Sequence, residues 1–175
     1  MNHQMEVVVS AEDIQKRVRT LATEIETYYA GESVVCVCVL KGAFLFFADL
    51  MRCLKNGPEM DFVRLSSYGS GTNRGKEVHF TKDMEVPVQD KHVLLIEDIV
   101  DSGRSVEFLK HVIEKRGPQS LKVCALVDKQ ERREIDLSVD FVGFDLTGKG
   151  FLVGYGLDYA EKYRELDALY EVINP

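Results

Sequence analysis

The feature that most constrains this chain is Val34 to Leu40, a β-branched run that is nearly all apolar. A strand that is apolar on both sides is covered on both sides, which is typical of a parallel sheet between helices. Val93 to Ile96 and Leu121 to Val127 repeat the pattern, and helical patterns separate the runs. The sequence therefore predicts the α/β class: an open, mainly parallel twisted sheet with helices on both faces.

Three segments have the composition or spacing of helices. Ser10, followed three residues later by Asp13, resembles a capping box, and apolar residues then recur at helical spacing until Gly31. Ala43 to Lys55 is rich in Phe and Leu and too long for a strand, and Ser105 to Lys115 has one apolar face. Further strands are predicted to begin at Met60 and to span Val139 to Phe144 and Phe151 to Tyr155.

Length and charge exclude several classes of protein. The chain has 175 residues, about the length of one domain. Its net charge of −7 argues against a protein that coats nucleic acid or anionic lipid. No apolar stretch approaches the ~20 residues that cross a bilayer and no secretory pattern opens the chain, so we expect a cytoplasmic protein. The four cysteines form no C-x-x-C and the four histidines are scattered, which gives no basis for a zinc site.

The strongest chemical signal is Val93 to Ser105, which runs from a buried strand through three carboxylates into a hydroxyl-rich loop that opens a helix. The free N–H groups and the positive helix dipole at Ser102 to Ser105 suit a phosphate. Glu97 and Asp98, at the strand end, are acceptors suited to a vicinal diol, directly or through hydrated Mg²⁺. Together these features predict a ribose 5-phosphate site, although an acidic strand end before an ordinary capped helix has the same pattern.

This segment resembles, over its full length, the phosphoribosyl pyrophosphate signature of the type I phosphoribosyltransferases. Further motifs occur in that family's order and spacing: Leu40-Lys41-Gly42, Ser66-Ser67-Tyr68-Gly69, Asp128-Lys129 and Phe151-Leu152-Val153-Gly154-Tyr155-Gly156-Leu157-Asp158-Tyr159. From about Val34 to the end, the set is similar to the hypoxanthine-guanine branch in its short bacterial form. The resemblance implies a single domain, 1–175, in which the termini and 129–175 contribute a small purine-binding hood.

The resemblance also implies an activity. The family transfers the 5-phosphoribosyl group from phosphoribosyl pyrophosphate to N9 of hypoxanthine or guanine, giving IMP or GMP and pyrophosphate. It implies Mg²⁺ as cofactor, a homodimer or homotetramer, and neither a nucleic acid nor a membrane partner. In the family the peptide that corresponds to Leu40-Lys41 is cis.

The matching positions take their roles from the resemblance. Asp101 is the catalytic base that faces N7 of the purine, Lys129 donates to O6 and so selects oxopurines, and Ser67 and Tyr68 belong to a lid. The phosphoribosyl group is bound by Glu97, Asp98, Ser102, Gly103, Arg104 and Ser105. Pyrophosphate is bound by Lys41, Gly42 and Arg164, the purine by Lys129, Phe151, Leu152 and Asp158, and the metal by Glu97, Asp98 and Asp158.

Each assignment has a simpler alternative. In these alternatives Asp101 is a helix N-cap, Lys129 is a surface lysine and Phe151 is a packed core residue. The Gly-rich stretch 66–76 is then an inert hairpin loop. Two other functions share the fold: RNA-binding attenuation of a pyrimidine operon, and phosphoribosyl transfer to another base such as xanthine or adenine. Leu152 stands where the family commonly has Val, so the resemblance leaves the base preference open.

Overall fold

The computed structural model describes residues 4–68 and 77–173. In chain order the elements are β1 (Gln4–Val9), α1 (Ala11–Tyr29), β2 (Val34–Leu40), α2 (Phe44–Cys53), β3 (Glu59–Tyr68), β4 (Glu77–Lys82), β5 (His92–Val100), α3 (Arg104–Glu114), β6 (Ser120–Asp128), β7 (Phe141–Asp145), β8 (Phe151–Val153) and β9 (Leu169–Ile173). None of the described helices is both long enough and apolar enough to cross a membrane.

A mainly parallel sheet forms the centre of the molecule, which confirms the predicted class. Within the described residues it has six strands in the order β4-β3-β2-β5-β6-β7, and β4 is antiparallel to β3 while the other pairs are parallel. The strand order reverses between β2 and β5, because β2 is the first strand of this sheet along the chain, β3 and β4 are added on one side of it, and β5, β6 and β7 on the other. Ligands of open α/β sheets bind beyond the carboxyl ends of strands at such a switch point.

Helices cover both faces of this sheet, as predicted. α1 and α2 pack on one face, where Ile14, Phe46 and Leu94 belong to one buried cluster. α3 packs on the other face, where Leu109 and Leu95 belong to a second buried cluster. Since adjacent strand residues point to opposite faces, Leu94 and Leu95 each fill a different core, which explains why the run is apolar throughout.

The start of α1 is the predicted capping box. The Ser10 hydroxyl accepts a hydrogen bond from the N–H of Asp13 at 3.1 Å and donates one to its carboxylate at 2.6 Å. At the other end Ala30, one residue before Gly31, already has left-handed backbone (φ 49°) and caps the helix. The bounds of α2 and α3 lie within two residues of the predicted segments.

β5 is longer than the buried run that predicted it. It extends from His92 to Val100 because its backbone stays paired with β6 as far as the pair formed by Val100 and Asp128. Glu97 and Asp98 therefore lie inside the strand, not after its end. The sheet thus fixes the backbone of both acidic residues, and the loop begins only at Asp101.

The segment predicted as a strand at Phe151 to Tyr155 does not belong to the main sheet and ends at Val153. β8 pairs with β9 and β9 with β1, which gives a separate antiparallel sheet of three strands among the described residues. Phe151, Leu152 and Val172 of this sheet line a cavity together with Asp101. The small sheet therefore stands beside the carboxyl ends of the main sheet.

The cysteines are packing residues. All four are free, and Cys36, Cys38 and Cys124 are buried. Burial raises the pKa of Cys36 and of Cys38 to about 12, and the carboxylates of Glu97 and Asp98 add to the rise at Cys38. Both side chains therefore remain neutral thiols at physiological pH and act as small apolar groups.

Candidate active site

Two adjoining cavities open beyond the carboxyl ends of β2 and β5. The first, which we call the loop cavity, has a volume of about 330 Å³ and is lined by Gly42, Glu97, Ser102, Gly103, Ser105 and Arg164 among others. The second, the hood cavity, has a volume of about 490 Å³ and is lined by Lys129, Arg132, Gly150, Phe151, Leu152, Leu157 and Val172. Both include Asp98, Ile99, Asp101 and Asp158. The fold thus brings the predicted sugar-phosphate and purine residues together at Asp101.

The acidic pair that lines the loop cavity consists of a buried residue, Glu97, and a half-buried one, Asp98. Glu97 is 5% exposed; burial raises its pKa well above the usual range, and the adjacent Asp98 carboxylate raises it further. Burial also raises the pKa of Asp98, although the N–H of Ile99, 2.9 Å from Oδ1, and the Arg164 guanidinium oppose that rise. Two adjacent carboxyl groups, one buried and one half-buried, favour a bound cation or hydrogen-bond donors, and this arrangement suits both predicted roles of the pair.

Gly42 leaves the room that Asp98 occupies. A Cβ atom on Gly42 would lie 1.5 Å from Oδ2 of Asp98, so no other residue fits without moving the carboxylate. The preceding Leu40-Lys41 peptide is cis, the form that the corresponding peptide has in the family. The end of β2 and the acidic pair of β5 are therefore in direct contact across the switch point.

The loop after β5 leads into a helix whose N-cap residue is a glycine. The N-cap of α3 is Gly103, in left-handed backbone at φ 84°, which has no side chain to cap the helix, and Ser102 Oγ accepts only a long hydrogen bond, 3.5 Å, from the Arg104 N–H. The alternative in which Asp101 serves as the N-cap is therefore wrong. Ser102 and Ser105 line the loop cavity, and the first-turn N–H groups of a helix have no partner within the helix. This arrangement suits an anion.

The Arg104 side chain is directed away from the loop cavity. Its Nε lies 2.6 Å from the Glu134 carboxylate, and both side chains are exposed. Arg104 was predicted as a phosphoribosyl-binding residue, and in this structure only its backbone, in the first turn of α3, is placed for that role.

Asp101 lies where the two cavities meet and one of its oxygens is buried without a partner. Oδ1 has no hydrogen bond to the described residues, and the closest ion pair is from Oδ2 to Nη1 of Arg132 at 4.0 Å. A buried acceptor without a donor costs ~1–3 kcal/mol and is rare unless a ligand uses it. This geometry is what a proton acceptor for a bound molecule requires.

Arg164 and Lys41, the two basic residues predicted to bind pyrophosphate, differ in their surroundings. Arg164 lines the loop cavity, donates to the Gly156 carbonyl at 2.6 Å and pairs with Asp158 at 2.7 Å, while its Nε is buried without a partner among the described residues. Lys41 lies outside the cavity lining and pairs with the Glu161 carboxylate at 2.8 Å. The other Glu161 oxygen is 3.4 Å from Arg164, so one carboxylate contacts both cations.

Lys129 is buried at the wall of the hood cavity and its ammonium group is fully engaged. Only 5% of the residue is exposed, which rejects the alternative of a surface lysine. Nζ donates to the carbonyls of Lys149 at 2.5 Å and Gly150 at 3.0 Å, and pairs with Glu131 at 3.1 Å. Because an ammonium group has three donors, a purine O6 would have to share or replace one of these acceptors.

Phe151 offers an exposed aromatic face in the hood cavity. It is 44% exposed and makes an edge contact with Tyr159, with ring centroids 5.4 Å apart. The alternative in which Phe151 is a packed core residue is therefore wrong. Leu152 is buried behind it, and both line the hood cavity with Asp158.

The predicted lid lies almost entirely outside the described residues. The backbone of Ser67 and Tyr68 forms the end of β3 and pairs with β4, but their side chains and residues 69–76 are outside the described residues. The lid assignment therefore stays a prediction. Among the described residues no cluster of three or more His, Cys, Asp or Glu side chains forms a ready-made metal site.

Sequence reasoning missed Glu161, Glu131 and Arg133. Glu161 and Lys41 are 120 positions apart in the sequence. Glu131 contacts Lys129, which is buried, although the simplest interpretation of the sequence made it a surface lysine. Arg133 donates to the Asp101 carbonyl at 3.0 Å. A charged residue two to four positions after Lys129 was the available signal, but nothing local showed which way its side chain points.

Comparison with known proteins identifies the family. The sequence profile of the phosphoribosyl transferase domain matches residues 8–160. The chain is 40% identical to a hypoxanthine phosphoribosyltransferase of Salmonella typhimurium, over 99% of this chain and 98% of that protein. It is 42% identical to a hypoxanthine-guanine phosphoribosyltransferase of Bacillus subtilis, over 95% of this chain and 92% of that protein. The structure of a hypoxanthine-guanine phosphoribosyltransferase from Bacillus anthracis superposes with a TM-score of 0.91 at 42% identity, over 99% of this chain and 100% of that one. The chain therefore belongs to the phosphoribosyltransferase family, in the branch of the hypoxanthine and hypoxanthine-guanine enzymes.

Proposed function

We propose that this chain is a purine-salvage enzyme that transfers the 5-phosphoribosyl group from phosphoribosyl pyrophosphate to N9 of hypoxanthine and guanine. The products are IMP or GMP and pyrophosphate. The observation that carries the proposal is the position of Asp101, whose unpartnered oxygen lies where the loop cavity meets the hood cavity. A base held in one cavity and a sugar phosphate held in the other would react at that point.

The loop cavity suits the phosphoribosyl group. The start of α3, with Ser102, Gly103 and Ser105, supplies N–H and hydroxyl donors for the 5-phosphate. Glu97 and Asp98 supply acceptors for the ribose hydroxyl groups. As pyrophosphate leaves, C1′ becomes cation-like, so the site has to hold the leaving group and the attacking nitrogen in line and keep water out.

Mg²⁺ fits the acidic side of this cavity. Its preferred ligands are oxygens, and it is commonly bound by one or two carboxylates together with substrate phosphates, so a cage of three protein carboxylates is not required. Glu97, Asp98 and Asp158 are the residues that would hold it, since all three line the loop cavity. When bound, the ion would offset the charge of the pyrophosphate group. Lys41, Gly42 and Arg164 are the residues proposed to bind that group directly.

Asp101 is the proposed general base. As N9 bonds to C1′, the proton on N7 would pass to Oδ1 of Asp101, which accepts no other hydrogen bond from the described residues. General base catalysis typically contributes ~10²–10⁴ in rate.

The hood cavity suits a 6-oxopurine. Phe151 offers a face for stacking, and Leu152 and Asp158 line the same cavity, where they would meet the exocyclic position 2 of the stacked base. The Lys129 ammonium has donors only, so it would pair with O6 and leave a 6-amino group without a partner. This disfavours adenine. The net charge of −7 and the family's purine motifs disfavour the RNA-binding alternative.

Location and assembly are part of the proposal. Four free cysteines are typical of a reducing compartment such as the cytoplasm. A homodimer or homotetramer is expected from the family.

One assay tests the function. The purified chain is incubated with phosphoribosyl pyrophosphate, Mg²⁺ and one of hypoxanthine, guanine, xanthine, adenine or uracil, and nucleotides are separated by chromatography. We expect IMP and GMP, little product from adenine or uracil, and loss of product when Mg²⁺ is chelated. Nucleotide formed from xanthine or adenine in preference to hypoxanthine would contradict the assigned substrate, and no nucleotide from any base would contradict the enzyme class.

A further inference from the structure

We propose that Arg133 is a positioning residue that fixes the catalytic base Asp101 and the purine-binding Lys129 relative to each other; this inference rests on the proposed function. Arg133 is held between the backbones of both residues. Its Nε donates to the Asp101 carbonyl at 3.0 Å, and its Nη2 lies 3.4 Å from the Lys129 carbonyl. One planar guanidinium thus binds the main chain of the proposed base and of the proposed O6 donor.

The position of Arg133 marks where two strands separate. β5 and β6 stay paired up to Val100 and Asp128, and Lys129 N–H still donates to the Val100 carbonyl at 3.0 Å. Beyond this point the two segments separate: the segment after β5 lines the loop cavity, and the segment after β6 lines the hood cavity. Arg133 spans the gap, since its Nη2 also pairs with the Asp128 carboxylate and lies 3.3 Å from the Val100 carbonyl.

Asp101 depends on this support because little else among the described residues holds its side chain. Oδ1 has no hydrogen bond to the described residues, and Oδ2 is 4.0 Å from the exposed Arg132. The direction of the carboxylate is therefore set mainly by the backbone from which it projects. Arg133, with a side chain only 13% exposed, binds that backbone. Catalytic groups lose efficiency steeply when they move from their productive geometry.

A lysine cannot replace this arginine. The guanidinium offers five donors in a rigid plane, whereas an ammonium offers three donors at a single point. Arg133 uses both of its amino groups and its Nε, because Nη1 donates to the Leu137 carbonyl at 2.6 Å. Arg133→Lys would keep the charge and part of the volume but release the Asp101 backbone.

Arg17 is a matched control from the same chain. It also caps the main chain of a strand, with donors 3.0 Å from the Gly143 carbonyl and 2.6 Å from the Val142 carbonyl, and it pairs with Glu24. It lines neither the loop cavity nor the hood cavity. Arg17→Lys therefore shows how far the loss of such an arginine lowers stability when the position of Asp101 is not affected.

The test is a double-mutant cycle. The variants are Arg133→Lys, Asp101→Asn, the two combined, and Arg17→Lys; kcat and KM are measured with hypoxanthine, thermal unfolding by circular dichroism, and phosphoribosyl pyrophosphate affinity by calorimetry without base. We expect Arg133→Lys to lower kcat at least ~10-fold and to change that affinity less than ~3-fold. In the Asp101→Asn background the same change is expected to lower kcat less than ~2-fold, because its effect on the chemical step passes through Asp101, whereas its effect through Lys129 is on the KM for hypoxanthine. Arg17→Lys is expected to leave kcat within ~2-fold of the starting enzyme.

Three results would overturn the positioning role: an unchanged kcat in Arg133→Lys, losses that multiply in the double variant, or an equal kcat loss in Arg17→Lys. If Arg133→Lys does not fold, Asp128→Asn replaces it in the cycle under the same criteria, since it weakens the carboxylate anchor of Arg133. An unmodified chain that forms no IMP would count against the proposed function instead, so the two failures are distinguishable.

Discussion

The loop cavity and the hood cavity differ in how far the protein satisfies its own polar groups. Nε of Arg164, in the loop cavity, and Oδ1 of Asp101, where the two cavities meet, are buried without partners among the described residues. Glu97 is buried beside Asp98, and its pKa is raised by that burial. In the hood cavity the buried Lys129 has three acceptors within 3.1 Å. The unpartnered groups thus lie in the loop cavity and at its junction with the hood cavity, whereas the buried cation of the hood cavity already has its acceptors within the folded chain.

The difference has a physical reason. A buried polar group without a partner costs ~1–3 kcal/mol, so a folded chain retains such groups mainly where a ligand later satisfies them. A sugar phosphate brings many charges and hydroxyl groups, whereas a purine brings a flat apolar ring with few polar edges. We therefore expect changes in the loop cavity to affect the chemical step and phosphoribosyl pyrophosphate binding most, and changes in the hood cavity to affect the choice of base.

Asp101→Asn is expected to have the largest effect on turnover. The amide keeps the shape of the side chain but cannot accept the N7 proton as a base does, so kcat is expected to fall ~10²–10⁴-fold. Phosphoribosyl pyrophosphate binding, measured by calorimetry, is expected to remain. Asp136→Asn makes the same chemical change at an exposed residue outside both cavities and serves as the control. Unchanged turnover in Asp101→Asn would remove this residue from the mechanism.

Gly42→Ala tests the contact between β2 and the acidic pair. Its Cβ would lie 1.5 Å from Oδ2 of Asp98, so the carboxylate or the backbone has to move. Such overpacking commonly costs ~1–3 kcal/mol, and we expect phosphoribosyl pyrophosphate to bind about tenfold more weakly or worse. Gly57→Ala is the control, because it strains a left-handed turn at φ 59° with no atom within 4 Å. Equal binding by both variants would mean that Asp98 has no part in the ligand site.

The fold and the loop cavity were the predictable parts, because both depend on short stretches of sequence. Val34 to Leu40 indicated a strand covered on both faces, and the acidic residues and small loop after β5 indicated a sugar phosphate site. The strand extended further than the apolar run because pairing with β6, not apolarity, decides where it ends. A local pattern thus located the site but not the last residue of the strand.

The small sheet and the hood cavity were harder to predict, since they depend on distant parts of the chain. β1 pairs with β9, at the opposite end of the sequence, and neither strand has an apolar run like that of β2. The acceptors of Lys129 are mostly backbone carbonyls, at Lys149 and Gly150, which no side-chain pattern reveals. The resemblance to the family placed Lys129 in the purine site, but only the structure shows that its donors are already in use.

Lys129→Gln tests the contact between the hood cavity and O6 of the purine. The amide keeps one donor group but loses the charge, so kcat/KM for hypoxanthine is expected to fall about tenfold to a hundredfold. Phosphoribosyl pyrophosphate affinity is expected to stay the same, since the loop cavity does not include Lys129. The control is Lys122→Gln, which breaks an ion pair with Asp140 outside both cavities. Retained efficiency with hypoxanthine would refute the O6 contact.

Glu161→Gln has the smallest expected effect and tests an exception in the comparison, a carboxylate that contacts both Lys41 and Arg164 on the loop side. Glu161 contacts Lys41 at 2.8 Å and Arg164 at 3.4 Å, and the hydrogen bond from Lys41 holds the pKa of Glu161 below its usual range. A bound pyrophosphate would have to displace this anion. Exposed ion pairs are weak, so we expect pyrophosphate to bind only about two- to fivefold more tightly to Glu161→Gln.

Salt and a neighbouring carboxylate separate this competition from a general charge effect. Screening weakens exposed ion pairs, so the gain in pyrophosphate affinity of Glu161→Gln is expected to shrink as salt is raised from ~0.05 to ~0.5 M. Glu165→Gln removes the same charge four residues later, at an exposed position that lines neither cavity. If both variants bind pyrophosphate equally tightly in calorimetry, the gain comes from net charge. The Glu161 carboxylate then does not compete with pyrophosphate for Lys41 and Arg164.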